Sequence, residues 1–492
     1  MLACMTLAIL DLAESAPDAQ LLVLPVLRLE ESLTISAPPG FPNLEPYLDA
    51  TGFRGKSGET QKIAIPLDGG VRAAIALGLG DGSDDEQARR AGGALARAAG
   101  TSEIAIDADA LEPTVRQAVL LGALLATYRF TEYKSEADAS ALAKITVVTS
   151  DVARATSENA RATTIAQAVA LVQDAVNTPP NDLPPAALAD IALRVAKENG
   201  IEARVWDEQE LRAGGFGGLT AVGQGSSRGP RLVRLDYRPD GAELHIALVG
   251  KGITFDTGGL SLKPAGSMVG MKFDMAGAAT IVGVLQAAAE LGIKVAITGW
   301  LCIAENMPSS TATRPDDVVT IYVGKTVEIT NTDAEGRIVM ADGIAAASEE
   351  HPHLIIDIAT LTGAQVVALG DRTTAVMGND EAWISSVVEA SKSIGEPSWA
   401  MPIPEEVGDT LKSPVADLAN MRSGNRSAGM LVAAAFLERF VGDRADGSGA
   451  IPWVHLDIAG PSNNESAPYG YVPKGATGVM VRTLIALLES RS

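Results

Sequence analysis

Residues 244–279 read LHIALVGKGITFDTGGLSLKPAGSMVGMKFDMAGAA and hold the pattern that decides the fold. The run LHIALVG (244–250) is almost continuously apolar, which is typical of a strand buried on both faces of a sheet. The next long apolar segment, GAATIVGVLQAAAEL (277–291), predicts a helix. A buried strand followed by a helix is the repeating unit of an α/β domain, and polar groups just after such a strand lie where these sheets carry their sites.

The same pattern continues toward the C-terminus. Three further apolar runs predict buried strands, namely VAITGWL (295–301), HLIIDIA (353–359) and WVHLDIA (453–459). Helical segments fall between them. The C-terminal part therefore predicts a large α/β domain with a mixed central sheet flanked by helices.

The first 150 residues or so predict a separate α/β domain. Strands are expected at 20–29, 71–80 and 144–150, and helices at 85–100 and 113–130. This part holds few residues suited to chemistry. Two domains also suit the length, since 492 residues are too many for one ordinary core.

The domain boundary is expected near residue 160. A helical run (158–177) leads into NTPPNDLPPAALADIA, whose prolines and asparagines end the helix and are typical of a hinge. The prediction is therefore an N-terminal α/β domain at 1–160 and a larger C-terminal α/β domain at 161–492.

Charge and cysteine content restrict the function. The net charge is −22, from 39 basic and 61 acidic residues. A field of that sign repels phosphate backbones, so we expect no nucleic-acid partner. Only Cys4 and Cys302 are present, too few for a disulfide framework or a thiolate zinc site.

The N-terminal apolar run lacks a preceding basic residue, so we expect no secretory signal. No apolar stretch reaches the roughly 20 residues of a membrane span. The expectation is a cytoplasmic protein without membrane association.

The segments from Val249 to Arg337 concentrate charged residues against an apolar, glycine-rich background. Carboxylates beside buried strands need cations, because burying an unpaired charge is costly. Lysines and arginines supply some positive charge, and divalent metals could supply the rest. The carboxylates are Asp256, Asp274, Asp333 and Glu335, and the cations are Lys251, Lys263 and Arg337.

Each of these residues alone also has a purely structural interpretation. Asp274 could cap the helix that starts near Gly277, and Glu335 to Arg337 could form an ordinary turn. The four histidines include no pair at the i,i+4 spacing of a helical zinc site. A site made mainly of oxygen ligands would suit magnesium, manganese or zinc.

Several motifs resemble those of the cytosolic leucyl aminopeptidase family. The most specific is NTDAEGRI (331–338), and VGKGITFDTGG (249–259) matches as well. Further matching motifs follow in the same order, and the resemblance covers roughly residues 160–490. They are SLKP (261–264), MKFDMAGAA (271–279), ATLTGA (359–364) and HLDIAG (455–460).

The resemblance implies a metal-dependent enzyme that removes N-terminal residues, leucine and other mostly apolar ones, from peptides through a water bridged by two metals. One metal position is implied at Lys251, Asp256, Asp274 and Glu335. The other is implied at Asp256, Asp333 and Glu335, with the backbone carbonyl of Asp333. Lys263 and Arg337 match the catalytic cations, and Met271, Asn331, Thr360 and Gly363 match substrate positions.

The resemblance also implies that Arg337 holds a bicarbonate acting as general base, and that the chain forms a hexamer, a dimer of trimers. Two segments depart from the family pattern, Ser427-Ala428-Gly429 and Pro461-Ser462-Asn463. Because Ser462 could border the side-chain pocket, the second departure leaves the preferred N-terminal residue open.

Three rival functions are compatible with parts of the sequence. Some members of that family double as DNA-binding architectural proteins, but the acidic charge opposes this role. A catalytically dead scaffold conflicts with the presence of all seven expected polar residues. A phosphatase or nuclease would use similar two-metal chemistry, and an assay with a phosphate ester would distinguish it.

Overall fold

The computed structural model describes residues 7–17, 20–30, 32–37, 41–67, 70–136, 142–421, 424 and 427–492, so Cys4 lies outside the described residues. The chain forms two compact units. The first comprises Met1–Ala170 with Glu465–Lys474, and the second comprises Leu171–Asn464 with Gly475–Ser492. No helix in the described part of the chain is long and apolar enough to cross a membrane.

The first unit is an α/β domain around a sheet with the strand order β1-β7-β6-β2-β5-β4, in which β3 pairs with β2. Its strands are β1 Ile9–Ala13, β2 Leu21–Leu29, β3 Ser32–Ile35, β4 Thr60–Leu67, β5 Gly70–Gly78, β6 Ile104–Asp107 and β7 Lys144–Val148. Its helices are α1 Glu45–Ala50, α2 Asp85–Ala99, α3 Pro113–Thr127 and most of α4 Val152–Asn177. The predicted boundary at residue 160 lies inside α4, a continuous helix of 26 residues.

The second unit contains the remaining elements. Its strands are β8 Glu202–Trp206, β9 Arg231–Tyr237, β10 His245–Asp256, β11 Ala296–Asn306, β12 Val318–Thr320, β13 Thr326–Glu328, β14 Leu354–Ala359, β15 Thr374–Gly378, β16 Ser398–Ala400, β17 Leu418–Ala419, β18 Trp453–Asp457, β19 Asn463–Asn464 and β20 Gly475–Ala476.

The helices of the second unit are α5 Pro185–Glu198, α6 Glu208–Ala213, α7 Gly217–Gly223, α8 Ala265–Met268, α9 Ala276–Leu291, α10 Gly336–Ser348, α11 Gly363–Leu369, α12 Glu381–Ser393, α13 Glu405–Gly408, α14 Gly429–Glu438 and α15 Val481–Glu489. Two short 3₁₀ helices lie at Met271–Met275 and Asp409–Leu411.

The central sheet of the second unit has eight strands in the order β16-β15-β18-β14-β10-β11-β9-β8. The middle strands β18, β14, β10 and β11 run parallel, whereas β9 and β15 join them in antiparallel fashion. The predicted mixed central sheet is therefore confirmed. Because four neighbouring strands run parallel, their carboxyl ends meet at one edge, where polar side chains from distant segments converge.

Strands β10 and β11 extend five or six residues beyond the apolar runs that predicted them, to Asp256 and Asn306. The sequence pattern placed Lys251 just after the predicted strand at 244–250. In the structure Lys251 lies within β10. Backbone pairing continues to Ile253 opposite Ala304, and one extra residue on β10 then brings Asp256 opposite Asn306. A bulge of this kind changes the direction of the side chain at the end of the strand.

Candidate metal centre and substrate cavity

A cavity of about 670 Å³ opens at the carboxyl ends of the parallel strands. It brings together every site residue that the sequence analysis named, although they come from five separate segments of the chain. These residues are Lys251, Asp256, Lys263, Met271, Asp274, Asn331, Asp333, Glu335, Arg337, Thr360 and Gly363. Apolar side chains complete the wall, including Leu361, Ala364, Val366, Met421, Val432 and Ala459.

Lys251 lies at the bottom of this cavity, buried within β10. Its Nζ is 2.9 Å from Asp274 Oδ2 and 2.9 Å from Glu335 Oε1, and it donates to the carbonyl oxygen of Thr360 at 3.0 Å. Burial would lower the pKa of this ammonium, but the charges of Asp274, Glu335 and Asp256 outweigh it and raise the pKa.

Lys263 occupies a second position, nearer the mouth of the cavity. Its Nζ is 2.8 Å from Asp256 Oδ2 and 2.6 Å from Asp333 Oδ1. Burial opposes its charge, but Asp256 and Glu335 raise its pKa. Two lysine ammonium groups thus face four carboxylates.

Three of those carboxylates converge on one point. Asp256, Asp333 and Glu335 each place an oxygen within 4.8 Å of the other two. Glu335 Oε2 has no hydrogen-bond partner among the described residues, although it is buried. A cluster of two buried carboxylates and one partly exposed carboxylate, with a free acceptor, fits a divalent cation that prefers oxygen ligands.

The electrostatics of the cluster also fit added positive charge. Burial raises the pKa of Asp274, Asp333 and Glu335, and repulsion from neighbouring carboxylates adds to this effect. The two lysines lower these pKa values only in part. Divalent ions would therefore stabilise the ionised carboxylates, since a nearby positive charge favours the charged form of an acid.

Hydrogen bonds and the local backbone conformation position the Asp256 carboxylate in the cluster. Its Oδ1 accepts hydrogen bonds from the Gly258 amide at 2.8 Å and from Asn306 Nδ2 at 2.8 Å. Gly258 and Gly259 have φ values of 84° and 62°, which favour glycine. A β-carbon on Gly258 would lie 2.8 Å from Asp333 Oδ1, so the glycine also leaves room for that ligand.

Asp333 and Glu335 reach the cavity from a turn and from the start of a helix. The amide of Ala334 bonds to the Asn331 carbonyl, and Glu335 has helical backbone angles as the residue before α10. The turn at Asn331–Ala334 and the helix start that follows it place both carboxylates in the same cluster.

Asp274 does not cap α9. It lies in the 3₁₀ helix Met271–Met275, which precedes α9. The N-cap residue of α9 is Met275, and no side-chain hydrogen bond caps this helix. Its Oδ1 accepts a hydrogen bond from the Thr360 hydroxyl at 2.7 Å. The structural interpretation of this residue as a helix cap is therefore wrong.

Arg337 is buried in the first turn of α10, with one terminal nitrogen donating to the Asn420 carbonyl at 2.9 Å. Its Nε has no hydrogen-bond partner among the described residues. Burial lowers the pKa of this guanidinium to about 10. The group thus keeps its charge at neutral pH and has a free N–H.

Two polar residues of the site were missed by sequence reasoning. Asn306 holds Asp256, as described above, and also donates to the Thr332 carbonyl at 3.1 Å. Asn420 accepts from the Thr330 amide at 2.8 Å and donates to the Asn331 carbonyl at 2.7 Å. The only sequence signal for Asn306 is its place shortly after the apolar run VAITGWL (295–301), which became part of β11.

Of the expected substrate positions, Met271, Asn331 and Gly363 line the cavity with Thr360. Both polar groups of Thr360 are already bonded, its carbonyl to Lys251 and its hydroxyl to Asp274. Ser462 is buried and is not among the described residues that line this cavity. Its departure from the family pattern therefore does not alter the cavity wall directly.

Comparisons with known proteins identify the family of the chain. The model of the cytosol aminopeptidase family, catalytic domain, matches residues 170–485, and that of the N-terminal domain matches residues 42–137.

Curated relatives extend the similarity over nearly the whole chain. A probable cytosol aminopeptidase of Micrococcus luteus is 50% identical over 467 residues, which cover 91% of each chain. One from Clavibacter michiganensis is 48% identical over 500 residues, covering 98% of this chain and 99% of the relative.

Among solved structures, the bottromycin maturation enzyme BotP in complex with Mn is similar, with a TM-score of 0.85 and 38% identity over 96% of this chain and 99% of that one. Matches of this extent to the family models and to both relatives leave one conclusion: the chain belongs to the cytosol aminopeptidase family.

Proposed function

We propose that this protein is a metal-dependent aminopeptidase that cleaves the peptide bond after the N-terminal residue. The observation that carries the proposal is the convergence of Asp256, Asp333 and Glu335 in the same cavity as Lys263 and Arg337. Membership of the cytosol aminopeptidase family supports the reaction class.

Two divalent ions are proposed to bind in this cavity. Lys251, Asp256, Asp274 and Glu335 would hold one, and Asp256, Asp333 and Glu335 the other, with help from the Asp333 backbone carbonyl. Manganese, zinc or magnesium suits such donors, and the Mn complex of BotP favours manganese. When bound, the ions supply Lewis-acid polarisation and lower the pKa of water.

Lys251 would serve as a ligand only as the neutral amine. The surrounding carboxylates hold its proton, so only strong positive charge beside it would release that proton. As an amine it would still have an N–H to donate to the Thr360 carbonyl, 3.0 Å away. This hydrogen bond would hold the amine beside Asp274 and Glu335, with which it would share the ion.

The chain's own residues would bind and orient the peptide. The metal centre would bind the free α-amino group of the peptide, which accounts for selection of a free N-terminus. The apolar wall, with Met271, Ala364 and Val366 among its members, suits leucine and other apolar side chains. Lys263 would donate a hydrogen bond to the scissile carbonyl oxygen as it becomes negatively charged.

The proposed function is tested by comparing substrates and metal states. The metal-loaded protein should hydrolyse leucine p-nitroanilide but not its N-acetyl derivative, because acetylation removes the basic α-amino group that the metal centre would bind. Chelation should abolish hydrolysis, and manganese, zinc or magnesium should restore it. Activity on acetyl-leucine p-nitroanilide, activity in a demonstrably metal-free sample, or faster hydrolysis of p-nitrophenyl phosphate would refute the proposal.

We further propose that Arg337 holds bicarbonate, which when bound would supply a general base. The residue fits because its guanidinium lines the cavity and its Nε is unpartnered among the described residues. A planar fork of N–H groups suits such an anion.

Added bicarbonate is accordingly expected to stimulate the wild-type enzyme and to leave Arg337→Ala unchanged. The measurement is kcat at several bicarbonate concentrations in bicarbonate-free buffer. Because α10 begins beside Glu335, metal content is measured in parallel to confirm that both proteins carry equal metal. Equal stimulation of both proteins would contradict the role of Arg337.

We also propose that the chain forms a homohexamer, built as a dimer of trimers, and that it is located in the cytoplasm. The hexamer is proposed from the family resemblance alone, and sedimentation that shows a stable, active monomer would contradict it. The relatives' name, cytosol aminopeptidase, supports the location.

A further inference from the structure

Asp457 is a buried carboxylate that sequence reasoning did not assign to the site. It is the last residue of β18 and is fully buried. Its Oδ1 accepts from the Leu361 amide at 3.1 Å and the Ala459 amide at 3.2 Å. Its Oδ2 accepts from the Thr362 hydroxyl at 2.7 Å. One side chain thus fixes the turn that follows the neighbouring strand β14.

That turn begins with Thr360, which bonds to two of the proposed metal ligands. Its carbonyl accepts from Lys251 Nζ at 3.0 Å, and its hydroxyl donates to Asp274 Oδ1 at 2.7 Å. The contacts form a chain from Asp457 through the turn to these two ligands. Asp256 and Asp333 take no part in it, since Asn306 and the Gly258 amide hold Asp256.

The base of this chain is held firmly in the sheet. Two residues before Asp457, His455 Nδ1 lies 2.5 Å from Asp357 Oδ1, and Trp453 Nε1 donates to Asp357 Oδ2 at 2.7 Å. All three side chains are fully buried. Asp457 therefore projects from a rigid strand, and a rigid support is what a metal ligand needs for precise orientation.

We propose that Asp457 is a positioning residue that acts on one of the two metal positions. It sets the Thr360–Thr362 turn, and the turn orients Lys251 and Asp274, which serve the first position only. The proposal rests on the proposed function, because it assumes that Lys251 and Asp274 are ligands. It adds a residue whose influence reaches the metal through two layers of hydrogen bonds.

The test is Asp457→Asn, which keeps the shape and removes the charge. In this variant an amide nitrogen replaces Oδ2 and faces the Thr362 hydroxyl. The oxygen of that hydroxyl already accepts a hydrogen bond from the Gln365 amide. Manganese is titrated calorimetrically into the metal-free protein. One of the two dissociation constants should rise by about ten- to a hundredfold, the usual effect of losing an outer partner of a ligand, while the other stays unchanged.

The matched control is Glu396→Gln. Glu396 is also buried, accepts from the Met480 amide and the Thr483 hydroxyl, and pairs with Arg482 at 3.2 Å. It does not belong to the described wall of the cavity. Its substitution should lower the melting temperature yet leave both manganese affinities at the wild-type value.

A second pair of variants tests the same inference if Asp457→Asn does not fold. Thr362→Val removes the hydroxyl that donates to Asp457, and Thr483→Val removes the equivalent donor to Glu396. Only Thr362→Val should weaken one manganese affinity, and Thr362→Ser should restore it.

The outcomes separate this inference from the proposed function. A wild-type protein that binds no manganese would refute the metal centre itself. A wild type that binds two ions, with unchanged affinities in Asp457→Asn and Thr362→Val, would overturn only the role of Asp457. Equal weakening of both affinities, or the same weakening in Glu396→Gln, would also overturn it.

Discussion

Replacement of Asp256 by alanine is expected to empty the metal centre and to lower kcat/KM by at least about a thousandfold, since metal chemistry contributes several kcal/mol to transition-state stabilisation. Asp256 lies in one cluster with Asp333 and Glu335, and in the proposed centre it would serve as a ligand at both metal positions. Removing a carboxylate that belongs to both ligand sets should therefore weaken both metal positions at once. Among the other proposed ligands, only Glu335 should have the same effect when it is replaced.

Metal content and thermal unfolding provide the measurements. The wild-type protein should gain melting temperature on addition of manganese, because an ion that binds only the folded state stabilises it. Asp256→Ala should show no such gain. Asp409→Ala, which removes an exposed carboxylate paired with Lys412, is the control and should behave as wild type. Two bound ions in Asp256→Ala would contradict the bridging assignment.

Replacement of Lys263 by alanine is expected to lower kcat about a hundred- to a thousandfold while metal content is retained. The loss corresponds to one donor to a developing oxyanion, about 3–4 kcal/mol. The structure adds a further expectation, because Lys263 Nζ lies between Asp256 and Asp333 at 2.8 and 2.6 Å. This ammonium competes with cations for the same oxygens, so its removal should leave manganese affinity equal or higher.

The readouts for Lys263→Ala are kcat from steady-state kinetics and manganese affinity from calorimetry. Lys412→Ala, an exposed lysine paired with Asp409, serves as the control for loss of one positive charge. If Lys263→Ala loses its metal, the residue is a ligand or a support for one, and its proposed role in carbonyl polarisation is wrong.

The amino-acid sequence by itself determined the fold class and the set of charged residues in the site. Buried parallel strands appear as continuous apolar runs, because both faces of the sheet are covered, and this property is local. LHIALVG and HLIIDIA therefore predicted the strands that became β10 and β14. The charged motifs were equally visible, since Lys251, Asp256 and Glu335 stand out against apolar and glycine-rich neighbours.

Only the tertiary structure decided how these residues are held. Asn306 bonds to Asp256 across 50 residues, Asn420 to Arg337 across 83, and Asp457 to Thr362 across 95. Such partners carry no local signal, because a polar residue at the end of a buried strand has the same neighbours in sequence whether or not a ligand lies beside it. The parallel order of β11, β10, β14 and β18 brings their carboxyl ends together, and that order depends on packing of the whole chain.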